Sequence, residues 1–303
     1  MSFDQLQDRI RAVKSPVAAE LDLRPKNLPP ALLARHTARL GETLLAAAQA
    51  AEEFGRSLID GLWDTVPAVV FPVSAFEAMG WRGLEVLEHL IAYAKGRGLF
   101  TIAGGNRVDF GSAAADYGSA WLGHTQVGNT SCSVFDADCA TFCGYTGSDG
   151  LRPVLECCAV REKCALLLVK TPNPSASELE DLVSGDRLVH TAVGDLIPRL
   201  AQDTAGSKYG YRALGAVVGT PYPAEMKQLR RRLDRVFFLV PCCDTPESMD
   251  IAQHAFDEYG RGAAVSVCRP ILDACREGGD CAQAAHAAAE ELRRAWMDYV
   301  TLL

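Results

Sequence analysis

The sequence predicts an α/β chain folded as a (β/α)8 TIM barrel, and three observations carry that prediction. Short apolar runs recur along the 303 residues, with helix-like segments between them. The runs are continuous rather than alternating, as strands buried on both faces of a parallel sheet require. Eight of them can be counted, and the chain exceeds the ~250 residues that such a barrel takes. An open doubly wound sheet has the same local pattern; the count of eight favours the barrel.

The strands are expected near 17–22, 68–73, 99–103, 139–143, 165–170, 215–219, 236–241 and 263–267. Helical spacing fills the intervals. The segment 43–63 is alanine-rich, 81–95 carries Leu84, Leu87 and Leu90 on one face, 224–233 is amphipathic, and 284–303 closes the chain. The surplus length is an extra N-terminal helix and two long loops, 123–136 and 175–186. No Pro-, Gly- or Ser-rich linker divides the chain, so residues 1–303 are read as one barrel domain.

Composition narrows the function. A net charge of −8 and a pI near 5.3 oppose nucleic-acid binding, which needs a basic face. The run Arg230-Arg231-Arg232 reads as a solvated helix face. No apolar run approaches the ~18 residues of a spanning helix, so no membrane partner is expected. The N-terminus is charged where a signal peptide is apolar, which points to the cytoplasm. The eleven cysteines are therefore read as thiols.

Barrel chemistry sits at the C-terminal ends of the strands. The first strand ends in Asp22 and Arg24, and the third runs into Gly104-Gly105-Asn106-Arg107 and then Asp109. The fifth ends in Lys170, Thr171 and Asn173, and the eighth in Cys268 and Arg269. Asp22 can accept hydrogen bonds from ligand hydroxyls or cap its own turn. Arg269 offers a planar donor fork at the loops where barrels often bind phosphate. Cys143, Cys242, Cys243 and Cys268 also fall at the mouth, which raises a thiolate or metal site built from separate strands. Against it, no C-x2-C spacing occurs. Histidines 36, 89, 190, 254 and 286 fall in helical segments, and His124 lies in a loop. No metal ligand and no cofactor is assigned.

Several stretches form an ordered set: Gly41-Glu42-Thr43-Leu44; Val66-Pro67-Ala68-Val69; Arg107, Asp109, Gly111, Ser112 and Tyr117; Gly147-Ser148-Asp149-Gly150; Lys170-Thr171 with Asn173-Pro174; Tyr209-Gly210-Tyr211; Gly215 to Thr220; and Arg269. Together, across about 18–271, they resemble the longer bacterial subgroup of the orotidine 5′-phosphate decarboxylase family. The resemblance implies a cofactor-free homodimeric barrel that converts orotidine 5′-phosphate to uridine 5′-phosphate. It implies a nucleotide monophosphate ligand, catalytic positions at Asp109, Asn106 and Asp22, and substrate-binding positions at Lys170, Thr171, Arg269 and Ser112. In the family, the counterpart of Asp109 reaches across the dimer interface.

The family motif is Asp-x-Lys-x-x-Asp, with another lysine ending the second strand. Aligned on Asp109, the motif's first aspartate falls on Gly104, its lysine on Asn106, and the other lysine on Phe71. A neutral amide lacks the ammonium's transferable proton. Lys208 is a candidate to enter the site from a loop. The glycine-rich stretch after Val240-Pro241 reads Cys242 to Ser248 here, with Asp244 and Glu247 in it. Three readings remain at this point: a decarboxylase with an altered route, a binding or regulatory paralogue, and a barrel that uses its mouth cysteines.

Overall fold

The computed structural model describes residues 2–107, 109–276 and 279–301. Eight parallel strands close into a barrel: β1 (Val17–Glu20), β2 (Ala68–Pro72), β3 (Phe100–Arg107), β4 (Cys139–Cys143), β5 (Cys164–Lys170), β6 (Leu214–Val218), β7 (Phe238–Val240) and β8 (Ala263–Val267). Each pairs with its sequence neighbour, and β8 returns to β1 through Val17↔Val265 and Ala19↔Val267. The predicted fold class is therefore the observed one.

Side-chain alternation divides the core in two. Residues such as Ala19, Val69, Leu167 and Val265 face the surrounding helices. Ala18, Val70, Ile102, Cys139, Leu166, Leu239 and Ala264 fill the lumen. The N-terminal helix Ser2–Val13 closes the bottom by adding Phe3, Leu6 and Ile10 to that inner cluster. Phe3 stacks on Phe237 with ring centroids 4.9 Å apart. Burying three such side chains is worth about 1.5–3 kcal/mol each. With the bottom plugged, the C-terminal mouth is the open end.

The helix ends follow local chemistry. Thr43 caps Leu44–Leu62 by accepting from the Ala46 N–H at 3.2 Å. Gly147, at φ +73°, supplies the left-handed turn before Ser148–Arg161.

The structure corrects several expectations. Strand β3 runs to Arg107 instead of ending at Ala103, because a bulge keeps it paired: Ala103 faces Ala140, and Arg107 faces Phe142. The loop 123–136 contains a hairpin, Thr125–Val127 with Thr130–Cys132. The loop 175–186 contains the end of a 3-10 turn, Pro174–Glu178, and one strand of a second hairpin, Val183–Ser184 with Arg187–Leu188. The last helix is Cys281–Met297, and residues 302–303 of the expected span lie outside the described residues. Arg230 is not solvated: its guanidinium lies over the Phe238 ring at 4.0 Å and donates to the Ala255 and Gly262 carbonyls. Burial lowers its pKa to about 10. No helix among the described residues is long and apolar enough to cross a membrane.

Candidate active site

The mouth has three chemically distinct sectors. On the β2–β3 side, Phe71 is fully buried in the outer layer, edge-on to Phe76 at 6.2 Å. Gly104 and Asn106 lie in the bulged stretch of β3 between Ala103 and Arg107, and neither carries a charge. Asn106 sits at φ +52°, a left-handed conformation that asparagine tolerates better than most residues. Its N–H donates to Thr141 Oγ1 at 2.9 Å. Arg107 pairs with Glu77. Asp109 is exposed; its Oδ1 accepts from the Phe110 N–H at 2.9 Å, and its carbonyl accepts from Thr146 Oγ1 at 3.1 Å. Ser112 is exposed in the first turn of the helix Gly111–Leu122.

On the β1–β7–β8 side the groups are acidic. Ser266 Oγ donates to Glu20 Oε2 at 2.7 Å inside the barrel. Burial raises the Glu20 pKa, and the nearby carboxylates of Asp22 and Asp244 push it the same way. Asp22 Oδ1 accepts from Arg24 Nε at 2.6 Å. Asp244 Oδ1 accepts from the Cys268 N–H at 2.8 Å, so a carboxylate already holds that amide on the β8 rim. Arg269 points to Asp273, 3.5 Å away, in a half-exposed pair.

The thiols of Cys242, Cys243 and Cys268 are not activated. Burial pushes Cys268 up to about 12, with Glu20, Asp22 and Asp244 adding to it. Burial also raises Cys242 and Cys243. Among the described residues, none of the four mouth cysteines joins a group of three or more metal-ligating side chains. The cysteine-based reading therefore loses its chemical basis.

The β5–β6 side holds the buried charge. Lys170 ends β5 and is 4% exposed. Its ammonium is bonded to Asp181 Oδ1 and lies 3.7 Å from Glu180 Oε2. Glu180 accepts from the Thr171 N–H at 3.0 Å and from Thr171 Oγ1 at 2.5 Å. Lys170 and Thr171 lie at the end of β5, held by partners the sequence reading missed. Lys208 does not enter the mouth; it binds Asp8 of the N-terminal helix at 2.5 Å, at the opposite end of the barrel.

Glu20, Glu180, Asp181, His190 and Glu225 were not singled out from sequence. Glu20 left a signal, a carboxylate inside an otherwise apolar strand. The others left none, because the segment after β5 folds back over the rim.

No family model matches the sequence. A curated orotidine 5′-phosphate decarboxylase from Caldicellulosiruptor bescii is 31% identical over 270 residues, 89% of this chain and 88% of that protein. One from Rhodopirellula baltica is 32% identical over 269 residues, 88% of this chain and 87% of the other. The chain belongs to the orotidine 5′-phosphate decarboxylase family. The solved orotidine monophosphate decarboxylase of Leishmania donovani matches the fold, with a TM-score of 0.72 over 98% of both chains at 24% identity.

Proposed function

We propose that the chain is a cytoplasmic homodimeric decarboxylase, one barrel domain long, that takes a pyrimidine nucleoside monophosphate, orotidine 5′-phosphate, at its mouth. The observation that carries this reading is the near-full-length identity to curated orotidine 5′-phosphate decarboxylases. Asp22, Asp109, Lys170, Thr171, Ser112 and Arg269 all lie at or beyond strand ends on the C-terminal side, which is where a barrel binds its ligand. Exposed Phe110 and Tyr145, 71% and 81% accessible, give the rim apolar surface for a second copy.

The chemistry differs from the family pattern. Losing CO2 leaves negative charge on the ring carbon, and a fixed cation nearby lowers that barrier. With Asn106 at the lysine position, Lys170 is the buried ammonium at the C-terminal end of β5. Its charge is already shared with Asp181 and Glu180, so it stabilises the transition state less than a dedicated lysine. Loss of one such contact costs roughly 10²–10³ in rate. Slow turnover is the expectation.

A second reading, ligand binding without turnover, rests on the lack of a charge at Gly104 and Asn106. The test follows loss of orotidine 5′-phosphate ultraviolet absorbance, with a lysine-bearing relative as control, beside calorimetric titration with uridine 5′-phosphate. Slow turnover abolished by Asp109→Ala supports the decarboxylase. Binding with no turnover supports the second reading. Neither turnover nor binding overturns both.

A further inference from the structure

The charges of the β5–β6 rim do not balance around the buried Lys170 and His190. Lys170 is the one lysine or arginine in this cluster, against the carboxylates of Glu180, Asp181 and Glu225. His190 sits among them and is 3% exposed. Its Nδ1 lies 3.0 Å from the Glu180 carbonyl oxygen and 3.3 Å from Asp181 Oδ1, both acceptors, so Nδ1 carries the proton, and Asp181 has only its second oxygen free to join Nε2. The other nitrogen, Nε2, then presents a lone pair. It faces Glu225 Oε1 at 3.8 Å, beyond hydrogen-bond distance. A lone pair opposed to a carboxylate in a buried place calls for a cation between them.

The geometry points to a divalent transition-metal site formed by Asp181, His190 and Glu225. One ligand atom from each lies within 4.8 Å of the others, a separation that small side-chain shifts bring to bonds of about 2.0–2.2 Å. Two carboxylates and an imidazole suit zinc, manganese, iron or cobalt rather than copper(I) or calcium.

Each ligand already has an orienting partner, as built metal sites do. The Glu180 carbonyl fixes the His190 ring. The Thr220 hydroxyl holds Glu225 Oε2. Lys170 holds Asp181 Oδ1, and a carboxylate keeps a second oxygen for an ion. The ligands come from three places in the chain: the segment after β5, the short helix Val189–Gly194, and the helix Pro223–Arg232 after β6. An ion here would clamp the segment 174–188 onto the mouth beside Lys170. The site is independent of the decarboxylase reading.

The test uses the full chain, stripped with chelator and dialysed, then titrated with Co2+. Calorimetry gives the stoichiometry, and visible absorption reports the ligand type. One equivalent should bind, with weak d–d bands and no thiolate charge-transfer band. His190→Gln and Glu225→Gln should each weaken binding at least tenfold, and Thr220→Val should weaken it less. Glu225→Gln retains the acceptor for Thr220, so it reports ligation even if the histidine variant folds poorly. Absence of stoichiometric Co2+ binding would overturn the assignment and leave a protonated His190 as the balancing charge. A charge-transfer band insensitive to both variants would also overturn it, since the ion would then sit on cysteines.

Discussion

The β2–β3 and β5–β6 rims of this barrel have the same backbone and opposite chemistry. Both end parallel strands at the same mouth, and both have positions near that end where a charge could stand. On β3 those positions hold Gly104 and Asn106. On β5 the position holds Lys170, ringed by Asp181, Glu180 and His190. The strands fix where a side chain can point. Which charge stands there is decided residue by residue, and here by the segment that folds back over β5. A barrel can therefore keep its family's backbone while its charged groups lie two strands away from the family's motif.

The largest expected effect comes from breaking the charged rim. Lys170→Met leaves Asp181 and Glu180 without their cation. Removing one partner of a buried ion pair costs about 3–5 kcal/mol, and the partial exposure of Asp181 places this case near the lower figure. Urea denaturation measures it. A loss below about 1 kcal/mol would mean that the ring of carboxylates does not depend on Lys170.

The next effect sharpens the bare rim. In Gly104→Asp/Asn106→Lys both missing charges return to β3. A Cβ at Gly104 would meet the Phe71 carbonyl oxygen at 3.3 Å and Val70 Cγ1 at 3.6 Å, so an aspartate needs only a few tenths of an ångström. Lysine at φ +52° costs about 1 kcal/mol or more. Turnover of orotidine 5′-phosphate should rise at least tenfold over the starting chain. An unchanged rate, with folding intact, would show that the missing charges at positions 104 and 106 do not limit the reaction.

Arg269→Ala should be nearly silent in stability, under about 0.5 kcal/mol, because its partner Asp273 is half-exposed. Calorimetry with uridine 5′-phosphate separates the two roles of this residue. A tenfold weaker affinity marks a phosphate contact, and an unchanged one leaves a surface ion pair.

The strands were legible because burial on both faces leaves continuous apolar runs, and all eight could be read within a few residues. The end of β3 was not, since the bulge that carries pairing to Arg107 depends on β4 across the ladder. Among site residues, Lys170 and Thr171 were legible by position. Their partners Glu180 and Asp181 were not, because the span between them read as an open loop. His190 looked like an ordinary helical histidine; its chemistry comes from Glu180 and Asp181, ten and nine positions earlier, and from Glu225, thirty-five later. Sequence shows a residue's own strand or helix, and tertiary contacts supply its charge partners.

The smallest expected effect concerns Glu20, which contrasts with Lys170 as a charge the mouth buries without a cation in direct contact. Burial raises its pKa, with Asp22 and Asp244 adding repulsion, Ser266 hydrogen-bonding the carboxylate, and Arg24 opposing more weakly. A carboxyl with a raised folded-state pKa holds its proton more tightly in the native state than in the unfolded one. Below the unfolded value, near 4.3, both states are protonated and nothing is lost. As pH rises through the folded value, the native state must ionise a buried group, and stability falls. Glu20→Gln keeps an acceptor for Ser266 and removes that ionisation. Its melting temperature should therefore gain on the parent chain between pH 4 and pH 7, with the smaller difference at pH 4. Equal differences at both pH values would mean that Glu20 titrates like a solvated carboxylate. The acidic β1–β8 rim would then be open to water, and the contrast with the buried Lys170 network would narrow to the sign of the charge.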